Sequence, residues 1–232
     1  EQEYDKARLK WRQEIWDKED TYPEGERLSF FKAYSSTPFQ IPAGEMPDQT
    51  KTDTAIFVLS RNAGEGKDRL YQEGDYFITE KEEAILAEIC RLYPHVLLAL
   101  NIGGIMDLNF ADKYQEIEAI LYVQQPGMEG GNAVADVISG TVTPSGKMTD
   151  TWAVNYEDYP SSKTFSHNDG DVDYEEYKEG IYVGYRYFDT YDVPVRYDFG
   201  HGLSYTTFDI SDICISQNNL GTENAKIVVK DR

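Results

Sequence analysis

The stretch Ser60-Arg61-Asn62-Ala63-Gly64-Glu65-Gly66-Lys67-Asp68-Arg69 concentrates the residues best suited to chemistry. Glu65 stands between two glycines, which permit unusual backbone angles and the close approach of another molecule. It follows an apolar run, Thr54 to Ser60, that reads as a β-strand. The carboxyl is therefore expected at the carboxyl end of a strand, where open α/β sheets form their ligand crevice. A carboxylic acid there can reach beyond its own scaffold and protonate a leaving oxygen, as cleavage of a glycosidic bond requires. The same spacing also describes an ordinary exposed loop glutamate.

Other chemistries fit less well. Gly64-Glu65-Gly66-Lys67 looks like the tail of a phosphate-binding loop. That motif needs Gly five residues before the second Gly and Ser or Thr after Lys, and here those positions hold Arg61 and Asp68. A dinucleotide fingerprint fails at Arg69, three residues after Gly66. Glu129, in Gln125-Pro126-Gly127-Met128-Glu129-Gly130-Gly131-Asn132, is the rival carboxylate. It opens a helix, where the dipole favours the ionised form, whereas a general acid needs its proton held. A structural role fits Glu129 better, with Gly130, Gly131, Ala133 and Ala135 allowing close helix–sheet packing. His95, His167 and His201 lack ligand spacing for a metal, and no cofactor is expected. No Ser/His/Asp or Cys/His constellation stands out. The tyrosine clusters suit core packing better than sugar stacking.

The elements that must position Glu65 follow from periodicity. Glu3 to Lys18 reads as a helix carrying Ala7, Trp11 and Ile15 on one stripe. An irregular segment broken by Pro23, Pro38, Pro42 and Pro47 follows, from Tyr22 to about Thr52. Thr54 to Ser60 suits a strand buried on both faces. Thr79 opens a helix with a capping box to Glu82, its stripe being Ile85, Leu86, Ile89, Cys90 and Tyr93, and Pro94 stops it. His95 to Asn101 is a second strand, Asn109 to Tyr114 a short helix and Ala119 to Gln124 a third strand. A helix from about Glu129 to Ser139 comes next. This alternation predicts a parallel sheet covered by helices on both faces. Beyond Gly140, a strand within Lys147 to Trp152, extended segments from Ile181 to Phe188, a turn at Gly200-His201-Gly202 and a strand starting at Asp209 are expected.

Composition narrows the partners. A net charge of −20 repels nucleic acid and anionic membrane, and neither is expected as a partner. The 13% aromatic content, with 18 tyrosines, is that of a folded chain. No apolar run approaches the length of a membrane helix. Cys90 and Cys214 are the only cysteines, which argues against a disulfide framework and favours a reducing, cytoplasmic compartment. The chain begins at Glu1 rather than Met, and both ends read as cut, which leaves secretion open.

Several motifs together resemble the second domain of glycoside hydrolase family 3, of β-glucosidase type. These are Ser60 to Arg69, Gly74-Asp75-Tyr76, Leu100-Asn101-Ile102-Gly103-Gly104, Gln125 to Asn132, Pro144-Ser145-Gly146-Lys147, Glu179 to Phe188 and Phe199 to Thr206. The resemblance covers roughly Thr54 to Phe208. It implies an α/β fold, a mostly parallel six-stranded sheet sandwiched between helices. It also implies three regions: a helical and irregular lead over 1–52, the α/β sandwich over 53–207, and the truncated start of a fibronectin-like β domain over 208–232. The family's general acid/base matches Glu65, with Lys67, Asp68 and Arg69 supporting its loop and Asp68 offsetting the neighbouring positive charges. The implied reaction is retaining hydrolysis of a terminal β-linked glucoside or oligosaccharide. Its nucleophile lies on a (β/α)8 barrel domain, for which this chain has no room. The resemblance therefore implies that the chain alone is inactive, and a non-catalytic carbohydrate-binding or interaction module is the other reading.

Overall fold

The computed structural model describes residues 2–19, 51–61, 68–217 and 223–231. The irregular lead expected between Tyr22 and Thr52, together with Glu65 and Lys67, lies outside them. The chain divides into two units, Glu1–Gln125 and Pro126–Arg232.

The first unit opens with α1 (Gln2–Glu19), whose Ile15 is buried while Ala7 and Trp11 are half-buried, as the stripe predicts. Three parallel strands follow, β1 (Thr54–Arg61), β2 (His95–Ile102) and β3 (Ile117–Tyr122), in that order across the sheet. Thr54 pairs with His95 and Arg61 with Ile102, so β1 and β2 end level. Between them runs α2 (Glu80–Leu92), which packs on β2. Its start is the expected capping box: the Thr79 hydroxyl accepts from Glu82 N–H at 3.1 Å, and Glu82 Oε2 accepts from Thr79 N–H at 2.9 Å. These bonds satisfy amides that the first helical turn leaves free.

Leu59, Leu86, Leu98, Leu100 and Ile102 form the centre of the core. Each contributes about 1.5–3 kcal/mol by leaving water. The expectation that β1 is buried on both faces is corrected: Ile56 and Val58 are 50% and 56% exposed. The reason is that one face of the strand is uncovered among the described residues: Ile56, Val58 and Ser60 are exposed, whereas Phe57 is half-buried and Leu59 and Arg61 are buried. The short helix is 3-10, Asn109–Lys113, and buries Phe110 and Ala111. No helix among the described residues is long and apolar enough to cross a membrane.

The second unit begins with α3 (Gly130–Ile138). Gly130 is required by a close approach within its own turn, because a Cβ there would fall 2.4 Å from Pro126 Cβ. Gly131, Ala133 and Ala135 are exposed, which corrects the expectation that all four small residues serve helix–sheet packing. The strand expected before Trp152 is reduced to β4 (Trp152–Ala153), antiparallel to β5 (Val195–Tyr197). Tyr159 braces β4, accepting from Ala153 N–H at 2.9 Å and donating to Thr151 O at 3.3 Å. Burial, above all, raises its hydroxyl pKa to about 12.

The extended segment expected through Phe188 is instead α4 (Tyr185–Tyr191), preceded by Gly184 at φ 59°. That left-handed angle suits glycine and lets the chain turn into the helix. The turns at Pro144–Lys147 and Gly200–Gly202 pack together. Met148 N–H donates to His201 O and Gly200 N–H to Met148 O, both at 2.8 Å, and Lys147 Nζ donates to Gly202 O. A Cβ on Gly202 would lie 2.4 Å from Gly146 O, which explains glycine there. Last comes an antiparallel hairpin, β6 (Phe208–Gln217) with β7 (Glu223–Asp231).

Candidate active site

Parallel strands place all their carboxyl ends on one edge, and here that edge carries the sequence motifs. Arg61 ends β1, Gly103-Gly104 follows β2, and Gln124-Gln125 follows β3. Gly103 faces the Gln125 side chain, and a Cβ at 103 would come within 2.7 Å of Gln125 Cδ. Any larger residue at 103 would displace that carboxamide from the edge.

Arg61 is only 7% exposed. A buried guanidinium is tolerated when its charge and donors are met. Nη1 and Nη2 grip Glu82 Oε1 and Oε2 at 2.8 and 2.9 Å. The remaining donors reach three carbonyls: Nε to Asp75 O at 2.9 Å, Nη1 to Ser60 O at 2.8 Å and Nη2 to Phe77 O at 3.2 Å. Glu82 thus caps α2 and holds Arg61 with one carboxylate. Burial opposes its ionisation, but the Arg61 hydrogen bonds and charge and the Thr79 donors outweigh it, so its pKa lies below the ordinary value.

Arg69 makes a second anchor. Its Nε donates to Asp75 Oδ1 and its Nη2 to Asp75 O at 2.8 Å, while Leu70 N–H donates to Asp75 Oδ2 at 2.7 Å. Asp75 sits at the turn of a tight loop in which Gly74, at φ 78°, donates to Phe77 O and Phe77 N–H donates to Gln72 O, each at 3.0 Å. Tyr76 is buried beneath it, and Asp107 N–H donates to Tyr76 O at 2.9 Å.

The residues singled out in the sequence fare differently. Glu65 and Lys67 lie outside the described residues. Asp68 is exposed, and Arg69 is half-buried on Asp75. Glu129 is exposed, makes no side-chain cap on α3, and accepts from Asn132 Nδ2 at 2.6 Å. Among the described residues, no group of three or more His, Cys, Asp or Glu converges in a way that could hold a metal ion. Arg61, Asp75 and Glu82 were missed as a connected set. Their separation along the chain follows no periodicity; the available signals were separate ones, the capping box for Glu82 and the place of Gly74-Asp75-Tyr76 among the motifs of the family resemblance.

Comparison with known proteins places this geometry. The model of the glycosyl hydrolase family 3 C-terminal domain matches residues 42–185. A β-glucosidase of Ruminococcus albus is 45% identical, over 69% of this chain and 16% of its own length. β-Glucosidase A of Butyrivibrio fibrisolvens is 38% identical, over 69% of this chain and 22% of its own. The chain thus spans about a fifth of the length of these curated relatives. Among solved structures, β-glucosidase 3B from Thermotoga neapolitana in complex with glucose superposes with a TM-score of 0.70 at 30% identity, covering 94% of this chain and 33% of that one. The family match spans more than half of the sequence, and the chain belongs to the glycosyl hydrolase family 3 C-terminal domain family.

Proposed function

We propose that this chain is the second domain of a retaining β-glucosidase-type glycosidase and supplies its general acid/base, Glu65. The observation that carries the reading is that β1 of a parallel sheet ends at Arg61, four residues before Glu65 in the sequence, and the carboxyl ends of such strands are where these folds form crevices. Family membership supports the same reading. The carboxyl protonates the glycosidic oxygen as its bond to the anomeric carbon breaks, then removes a proton from the water that resolves the glycosyl-enzyme. Lys67, Asp68 and Arg69 support the segment. The nucleophilic carboxylate lies on a barrel domain outside this chain, so residues 1–232 alone are inactive, because one carboxyl cannot carry out a double displacement. A terminal β-linked glucoside is the proposed substrate class, supported by the glucose complex of the Thermotoga relative. The antiparallel β6–β7 hairpin supports reading 208–232 as the start of a fibronectin-like domain.

The test is hydrolysis of nitrophenyl β-glucoside by the full-length enzyme carrying this segment, with and without Glu65→Ala. The activated leaving group needs little protonation, so loss of the acid/base chiefly slows deglycosylation. A large fall in rate, rescued by azide with a β-glucosyl azide product, is expected. Unchanged turnover in a folded variant would remove Glu65 from the mechanism.

A further inference from the structure

Two consecutive glycines, Gly103 and Gly104, follow β2 at the carboxyl edge of the sheet. Neither has a left-handed backbone angle, so conformational freedom does not explain them. The room they leave does. A Cβ at 103 would lie 2.7 Å from Gln125 Cδ, and a Cβ at 104 would lie 3.6 Å from Arg69 Nη1. The carboxamide and the guanidinium therefore sit against adjacent residues, whose Cα atoms are ~3.8 Å apart. Gln124, which leads from β3 to Gln125, is exposed and takes φ 61°, an angle that an L side chain adopts only at a cost. Strain of that kind collects where a fold aims groups at a ligand.

Arg69 adds an independent sign. Asp75 takes its Nε and Nη2 and offsets its charge, yet Nη1 is buried and has no hydrogen-bond partner. It is the one such side-chain atom among the described residues of the first unit. A buried donor left unmet is costly, which points to an acceptor that arrives with a ligand. Because Asp75 already balances the guanidinium, a neutral oxygen suits Nη1 better than an anion. The Gln125 carboxamide both donates and accepts, as a sugar hydroxyl does, and it has enough hydrogen-bonding positions to serve a ligand while keeping protein contacts. The carboxyl ends of parallel strands are also where open α/β folds bind ligands.

We infer that Arg69 Nη1 and Gln125 bind hydroxyls of a sugar, the unit next to the terminal glucosyl. The choice of sugar rests on the proposed division of labour. A nucleophile on the barrel bonds to the anomeric carbon of the terminal unit, which leaves the following sugar to this domain.

The experiment measures inhibition of nitrophenyl β-glucoside hydrolysis by the full-length enzyme, using two ligands that resist hydrolysis. One is thiocellobiose, two glucose units joined through sulfur. The other is methyl 1-thio-β-glucoside, which lacks the second sugar. Gln125→Met keeps the length of the side chain and removes its hydrogen-bonding groups. It should weaken thiocellobiose about 10-fold, as loss of one or two hydrogen bonds does, and methyl thioglucoside less than about 2-fold. Gly103→Ala, which pushes the carboxamide aside without altering it, should do the same and decides the question if Gln125→Met fails to fold. Equal weakening of both ligands, or of neither, would overturn the inference. Equal weakening would put the terminal unit on this edge and count against the division of labour as well. Weakening of neither leaves that division standing, with Glu65→Ala as its separate test. Inhibition by inorganic sulfate that Gln125→Met relieves would assign an anion site and would also overturn the inference.

Discussion

Arg61, the last residue of β1, and Glu82, in the first turn of α2, form a bidentate pair at 2.8 and 2.9 Å that fastens a strand end to a helix start. Glu82 simultaneously closes the capping box on Thr79. One carboxylate therefore serves two elements. The guanidinium it holds is nearly buried, so the pair cannot be dismissed as a surface contact of little worth.

Removing that carboxylate should be costly. Glu82→Ala leaves a buried guanidinium without its counter-charge and removes the reciprocal half of the helix cap. A loss of about 3 kcal/mol is expected, at the lower end of the range for breaking a buried pair because Glu82 keeps some contact with water. Urea unfolding of wild type and variant under the same conditions measures it. A loss below about 1 kcal/mol would place the pair in the surface class.

The same group makes stability depend on acid. The Glu82 pKa is lower in the folded chain than its ordinary value, so the unfolded chain binds the proton more readily. Its stabilisation is complete above the ordinary carboxylate range, roughly pH 4–5, and is lost as pH falls through the depressed folded value. Glu88, paired with Arg91, shifts in the same direction, but it is exposed and salt-screened. The stability difference between wild type and Glu82→Gln should therefore shrink on acidification from pH 6 to 3. A difference that stays constant with pH would contradict the assignment.

The two cysteines should react at very different rates. Burial in the α2 stripe, aided by the charge of Glu116, raises the Cys90 thiol pKa to about 11, while Cys214 is exposed on β6. Alkylation requires the thiolate, and at pH 8 Cys90 supplies about one part in a thousand. Iodoacetamide labelling followed by peptide mapping should modify Cys214 under native conditions and Cys90 only after urea unfolding. Equal native labelling would mean that α2 opens freely.

Much of the fold was legible in residue order alone. The Thr79–Glu82 box, the stop at Pro94, the strand at His95 and the helix after Gly127 are local features, set by which backbone amides a side chain can reach and which angles a residue permits. The alternation of strand and helix carried the parallel sheet, and the glycine-flanked Glu65 singled out the candidate chemistry. Other facts depended on neighbours brought together by folding. An apolar run does not reveal whether both faces of a strand will be covered, and among the described residues one face of β1 is not, with Ile56 and Val58 exposed. A tyrosine-rich stretch after Gly184, which has positive φ, is the helix α4 where extended chain was expected. Arg61, Asp75 and Glu82 share no spacing and meet only because the end of β1, the loop at Asp75 and the start of α2 come together. Local chemistry therefore determined the elements and the candidate acid, while the sheet alone decided that Arg61, Asp75 and Glu82 meet.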